Sequence, residues 1–102
     1  MAQTRREEAR LLSADERELV AQTHQPAIKE LGHSELGDLL VRLRDRRDRA
    51  RDISRQQRRE MRGKAPPSGA TRAADNTGSR AKGQLLAAAV KRLNKEVERR
   101  RP

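Results

Sequence analysis

This chain has little from which to build a core. Its large apolar side chains are 11 Leu, 4 Val and 2 Ile among 102 residues, and it has no Phe, Tyr or Trp. That share lies under the roughly 20% of Leu, Ile, Val and Phe below which highly charged chains tend to disorder. So polar a chain struggles to bury enough apolar area to offset the entropy of ordering. The expectation is an all-α protein with a minimal core, partly disordered alone, that draws stability from a partner or from self-association. No alternating strand pattern and no internal repeat is present.

Charge narrows the partner. Lys and Arg number 25 against 15 Asp and Glu, a formal net charge of +10. The excess is uneven: residues 1–41 carry −3, residues 42–64 carry +7 and residues 65–102 carry +6. An acidic-leaning head before a strongly basic body points to a polyanion, although charge also keeps a polar chain soluble. Twenty of the 25 basic residues are Arg, which a GC-rich genome also favours. Without cysteine there are no disulfides and no thiolate metal sites. The opening MAQTRREEARLL holds no signal-peptide-like apolar stretch, and the longest apolar run, Leu85 to Val90, is far too short to span a bilayer. These readings give a cytoplasmic expectation with no membrane partner, nucleoid- or ribosome-associated in a bacterium.

Helix punctuation divides the chain into a flexible N-terminus over 1–12, a helical head and long basic helix over 13–62, a linker over 63–79, and a C-terminal basic amphipathic helix and tail over 80–102. Ser13 and Glu16 fit a capping box opening a helix from Ala14 to about Thr23. Pro26 suits the first turn of a short helix ending at Leu31, and Gly32 stops it. Ser34 is the expected cap of the next helix, with Glu35 and Asp38 near its positive end. From Glu35 to Arg62 there is no Pro, and the only Gly is Gly37. Acid–base pairs support this helix at Asp38–Arg42, Asp45–Arg49, Glu60–Lys64, Asp48–Arg51 and Asp52–Arg55, each contributing about 0.2–0.5 kcal/mol. Residues 63–79, rich in Pro, Gly, Ser and Ala, read as a flexible linker.

Within the long helix, Arg44, Arg47, Arg51, Arg55, Arg58 and Arg62 recur at spacings of 3 and 4. They fall within an arc of roughly 80° and make a ridge about 27 Å long. Asp45, Asp48 and Asp52 belong to a second face, and Leu36, Leu39, Leu43, Ala50, Ile53 and Met61 to a third, apolar one. Guanidinium groups in line repel one another, and phosphates laid along them turn that cost into attraction. The plainer alternative is a solvated face on an Arg-rich helix. Lys91, Arg92, Lys95, Arg99, Arg100 and Arg101 crowd the last helix, where they complement its negative end or grip a second stretch of backbone. Leu86, Val90, Leu93 and Val97 form a coiled-coil-like seam there, suited to a partner or to the earlier helices.

Other signals are weaker. Gly78 and Gly83 have P-loop separation, but Gln84 and Leu85 stand where Lys and Ser or Thr are required. His24 and His33 lack the partners of a metal or catalytic site. A helix-turn-helix reading puts Glu35, Gly37 and Asp38 where base edges would be read, a poor surface for it. The absence of aromatics argues against stacking platforms.

The expected function is non-catalytic binding of DNA or structured RNA, ribosomal RNA included. The phosphate backbone is contacted through Arg44, Arg47, Arg51, Arg55, Arg58, Arg62, Lys91, Arg92, Lys95, Arg99 and Arg100, with low sequence specificity and no cofactor. The alternative is an adaptor or antitoxin-like subunit whose Leu86, Val90, Leu93 and Val97 seam docks on an acidic protein, a larger partner or a second copy.

Overall fold

The computed structural model describes residues 5–63 and 69–101, with side chains over 5–60 and 78–101. The described residues are all-helical: α1 (Arg5–Leu11), α2 (Ala14–Ala21), α3 (Ala27–Glu30), α4 (His33–Gly63) and α5 (Gly69–Arg100). The long central helix α4 and the C-terminal helix α5 form an antiparallel hairpin. Arg44 meets Asn94 at one level, and a Cβ built on Gly83 would lie 3.8 Å from that of Ala50 at another. The whole is a rod of 55 × 24 × 23 Å.

The core is a seam with a covered flank. Leu36, Leu39, Leu43 and Ala50 of α4 are buried with Leu86, Ala89, Val90 and Leu93 of α5. Leu12, Val20 and Ile28 add one apolar anchor from the segments around α1, α2 and α3. On α5, Leu85, Ala89, Arg92 and Glu96 recur at 3 and 4 residues and so share a flank. Arg92 reaches Glu8 and Thr23 from there, so that flank faces the short helices. The opposite flank of α5, with Arg80, Gln84, Lys91 and Asn94, stays exposed.

Helix boundaries follow local chemistry, with corrections to the sequence reading. The Ser13–Glu16 capping box is present: the Ser13 N–H donates to Glu16 Oε1 at 2.9 Å and the Glu16 N–H donates to Ser13 Oγ at 3.3 Å. Ser34 is not the cap of α4. The Gly32 N–H donates to Glu35 Oε1 at 2.8 Å, and the Leu36 N–H donates to the Gly32 carbonyl. Gly32 therefore occupies the cap position, and Glu35 supplies the reach-back half of a capping box. Arg5–Leu11 forms α1, where the sequence reading leaves a flexible N-terminus; its Glu8 is buried and bonds His24. The stretch 63–79 covers the last residue of α4, residues 64–68, which lie outside the described ones, and the first turns of α5, which starts at Gly69 rather than near Ser79. Ala70, Ala73 and Ala74 favour that earlier start.

Ile53 is not on the buried face of α4; it is 51% exposed, while Ser54 is buried. The residues turned toward α5, Leu43, Arg47, Ala50, Ser54 and Gln57, alternate 4 and 3 apart, which rotates the seam away from Ile53. Ile53 sits beside Glu16 at the start of α2, where that short helix no longer covers α4. The Met61 side chain lies outside the described residues.

Candidate nucleic-acid interface

The arginines of α4 diverge in the company they keep. Arg44 is exposed, and its Nη2 donates to Asn94 Oδ1 at 3.4 Å. Arg47 is half-buried and turns to Asp48 at 3.1 Å, which takes that carboxylate from the expected partner Arg51. Arg51 and Arg58 are exposed with no ion pair among the described residues. Arg55 reaches Asp52 only at 3.6 Å, with both side chains largely in solvent, a pair contributing about 0.2–1 kcal/mol at most. The Arg62 side chain lies outside the described residues. The acidic face is thus less separate than the spacing implies, because Asp48 and Asp52 each draw in one member of the ridge.

Across the seam, α5 completes a second wall. Arg51, Arg55 and Arg58 face Arg80 and Gln84 over a groove of about 280 Å³, floored by Ala50, Ser54, Ser79, Gly83 and Ala87. Small floor residues leave depth between the helices, and long cationic side chains rise on both sides. Lys91 of α5 is also exposed and without an ion pair among the described residues. The spacing of the ridge was readable from α4 alone. Arg80 was not assigned to it, because only the antiparallel register carries Arg80 to Arg51 and Arg58.

The cations of the C-terminal helix are placed differently. Arg99 donates to Glu96 through Nε and Nη2 at 2.9 and 2.6 Å. Arg100 Nε donates to the same carboxylate at 2.8 Å, and its Nη2 donates to the Ile28 carbonyl at 3.2 Å. Arg92 Nε donates to Thr23 Oγ1 at 3.0 Å. Lys91 and Lys95 are the exposed exceptions in this group without an ion pair among the described residues. Leu86, Val90 and Leu93 are buried, and Val97 packs at the edge of the same core. In this fold the seam is covered by the chain's own α4.

Three buried carboxylates organise this end: Glu16, which the sequence marks only as a capping residue, and Glu8 and Glu96, which it does not single out. Glu8 lies 3.0 Å from His24 Nε2 and 3.8 Å from Arg92 Nη2. Glu16 joins three helices, with Lys82 at 3.0 Å and Arg46 at 3.7 Å. Burial pushes the Glu16 carboxyl up, but the Ser13 N–H and the Lys82 ammonium outweigh it and leave it below the usual carboxylate range. The hydrogen bonds from Arg99 and Arg100 hold the Glu96 carboxyl down at about 2 against the upward push of burial. Burial lowers the Arg92 guanidinium from the usual arginine range, Glu8 opposes that, and nearby Arg5 adds to it. Most ion-paired cations here therefore serve the fold. The Glu96–Arg99 and Glu96–Arg100 spacings were legible; nothing in the sequence marked Glu8.

A larger groove of about 800 Å³ runs between Arg5, Thr23, His24 and Ile28 and the α5 residues Arg92, Lys95, Glu96 and Arg99. Arg92 and Arg99 there are answered by Glu8 and Glu96, and Glu96 and Glu98 themselves line it, so it lacks the one-signed character of the α4–α5 groove. Among the described residues no group of three or more His, Cys, Asp or Glu is placed to hold a metal ion, and no helix is long and apolar enough to cross a membrane. The chain matches no protein family, no curated protein and no solved structure in the comparisons made.

Proposed function

We propose that this chain is a non-catalytic nucleic-acid-binding protein that holds phosphate backbone on the arginine-lined face shared by α4 and α5, with little sequence preference. One observation carries the reading. Arg51, Arg55, Arg58 and Arg80 converge from two helices on a single groove, and the one carboxylate paired with any of them among the described residues is the loose, exposed Asp52. Elsewhere the chain answers its inward-turned cations with Glu8, Glu16 or Glu96. Like charges gathered without counter-charge oppose compactness, and a phosphate backbone supplies the missing anion with release of its condensed counterions. Guanidinium groups match phosphate oxygens two at a time. Bases are not held by stacking, since the chain has no aromatic side chain to stack on them.

The test is fluorescence anisotropy with labelled DNA and RNA across a salt series. Affinity is expected to fall linearly in log–log form, by about 0.7–0.9 in slope per phosphate neutralised. Replacing Arg51, Arg55, Arg58 and Arg80 together by Gln is expected to weaken binding about equally for all sequences. Binding that is salt-independent, or unaffected in the fourfold variant, would remove the proposal. Recovery of nucleic acid with the protein from cells, lost after nuclease treatment, checks the same reading without a chosen probe.

A further inference from the structure

The shape of the groove bears on which form of nucleic acid it takes. Packed helices lie about 8–10 Å apart and each is about 10–12 Å across with its side chains. A pair of them side by side is therefore about 20 Å wide, and with the short helices packed on one end the rod measures 24 × 23 Å in section. A major groove about 12 Å wide admits one helix, so the α4 wall and the α5 wall cannot enter it together. Against the outside of a duplex, a convex rod touches only along a tangent. The guanidinium groups, however, stand on both sides of a furrow floored by Ala50, Ser54, Ser79 and Gly83. To meet both walls at once, a phosphate must come down between them. Duplex phosphates are fixed on a stiff cylinder whose persistence length is about 150 bp, whereas a single strand bends into such a furrow. The volume of about 280 Å³ falls just under the roughly 300–1,000 Å³ of small-molecule pockets, and suits one phosphate with its sugar better than a whole cofactor.

Building on the backbone-binding reading, we infer that the α4–α5 furrow seats the phosphates of a flexible single strand in preference to a duplex. Arg51 and Arg58 bind from one wall and Arg80 from the other. The strand then lies along the rod axis, and its bases face solvent.

The experiment compares a labelled oligo-dT strand with a mixed-sequence duplex of the same length at several salt concentrations. Two variants accompany the intact chain: Arg80→Gln, at an exposed position, and Ala87→Leu, which fills the furrow without changing charge. Circular dichroism checks that both keep the helical content. The single strand is expected to bind about tenfold more tightly than the duplex at equal salt. Ala87→Leu is expected to weaken the single strand about threefold to tenfold while leaving the duplex unchanged. Equal or tighter duplex binding, with Ala87→Leu silent on both, overturns the furrow as the seat but leaves backbone binding standing. If neither polymer binds in a salt-dependent way, backbone binding itself fails, and this inference with it.

Discussion

At the end of the hairpin beside the short helices, the core between α4 and α5 is built from Leu36, Leu39, Leu43, Leu86, Val90 and Leu93. Toward the other end, the facing positions are Ala50, Ser54, Ser79 and Gly83. Charge divides along the same line. On the flank facing the short helices Arg46, Lys82, Arg92 and Arg100 turn to Glu16, Glu8 and Glu96, with Glu16 and Lys82 at the border of the open end beside Ala50 and Ser79. At the open end Arg51, Arg58 and Arg80 have no carboxylate among the described residues. Large side chains and paired charges hold helices together; small side chains and unpaired cations leave a furrow with a field. With 17 large aliphatics to distribute, the chain concentrates them at one end; stability is expected to reside there, and the proposed binding at the other.

The sharpest way to break this division is to truncate one residue at each end. Leu43 is fully buried, and Leu43→Ala is expected to cost about 2–5 kcal/mol in urea unfolding, much of the stability of a small domain. Ser79→Ala at the furrow floor is expected to change stability by less than about 0.5 kcal/mol. Comparable losses would mean that the rod is held evenly along its length.

Next in size is the carboxylate that ties three helices. Glu16→Ala removes the acceptor of the Ser13 N–H and leaves Lys82 and Arg46 unanswered. A loss of about 1–3 kcal/mol is expected, the usual cost of stranding partly buried polar groups. The slope of nucleic-acid affinity against salt should not change. A steeper or shallower slope in this variant would show that the covered end also meets the polyanion.

Acid acts on the same end. The Glu96 carboxyl is held down at about 2 in the folded chain, against about 4.3 for an unperturbed glutamate. A depressed folded value means that its contribution is present above the unfolded value and is lost as pH falls from there toward about 2. Glu16, also lowered, adds in the same direction. Thermal unfolding followed by circular dichroism is expected to drop in midpoint over that window, and Glu96→Gln is expected to flatten the dependence. An unchanged pH profile in Glu96→Gln would separate Glu96 from the clamp.

The sequence shows more of the covered end's helices than of its clamps. The capping box at Ser13, the Pro- and Gly-marked breaks before α4 and the Leu86–Val97 seam are local patterns, within a few residues of one another. The Glu8–Arg92 and Glu16–Lys82 contacts join residues far apart in the chain, and no spacing rule connects them. The same limit explains Ile53 and Arg80. One faces solvent because α2 stops short of it, and the other joins the arginine wall only through the hairpin register. By residue type Ser34 is a stronger capping side chain than Gly32, so the sequence alone favours it. The reach of Glu35 back to the Gly32 N–H decided between them.

The smallest expected change in stability bears most directly on the binding end. Arg58 is exposed and unpaired among the described residues, so Arg58→Gln removes no contact that holds the fold. Its unfolding free energy should stay within about 0.5 kcal/mol of the intact chain, with any shift upward from relief of repulsion toward Arg51, Arg55 and Arg80. Its salt slope should nevertheless fall by about 0.7–0.9, one phosphate contact's worth. Glu16→Ala is expected to do the reverse, losing stability at constant slope. Two single substitutions that exchange which quantity moves cannot both be explained by general loosening of a marginal helical rod. If Arg58→Gln instead lowered stability and left the slope intact, that arginine would belong with Arg92 and Arg100 among the structural cations.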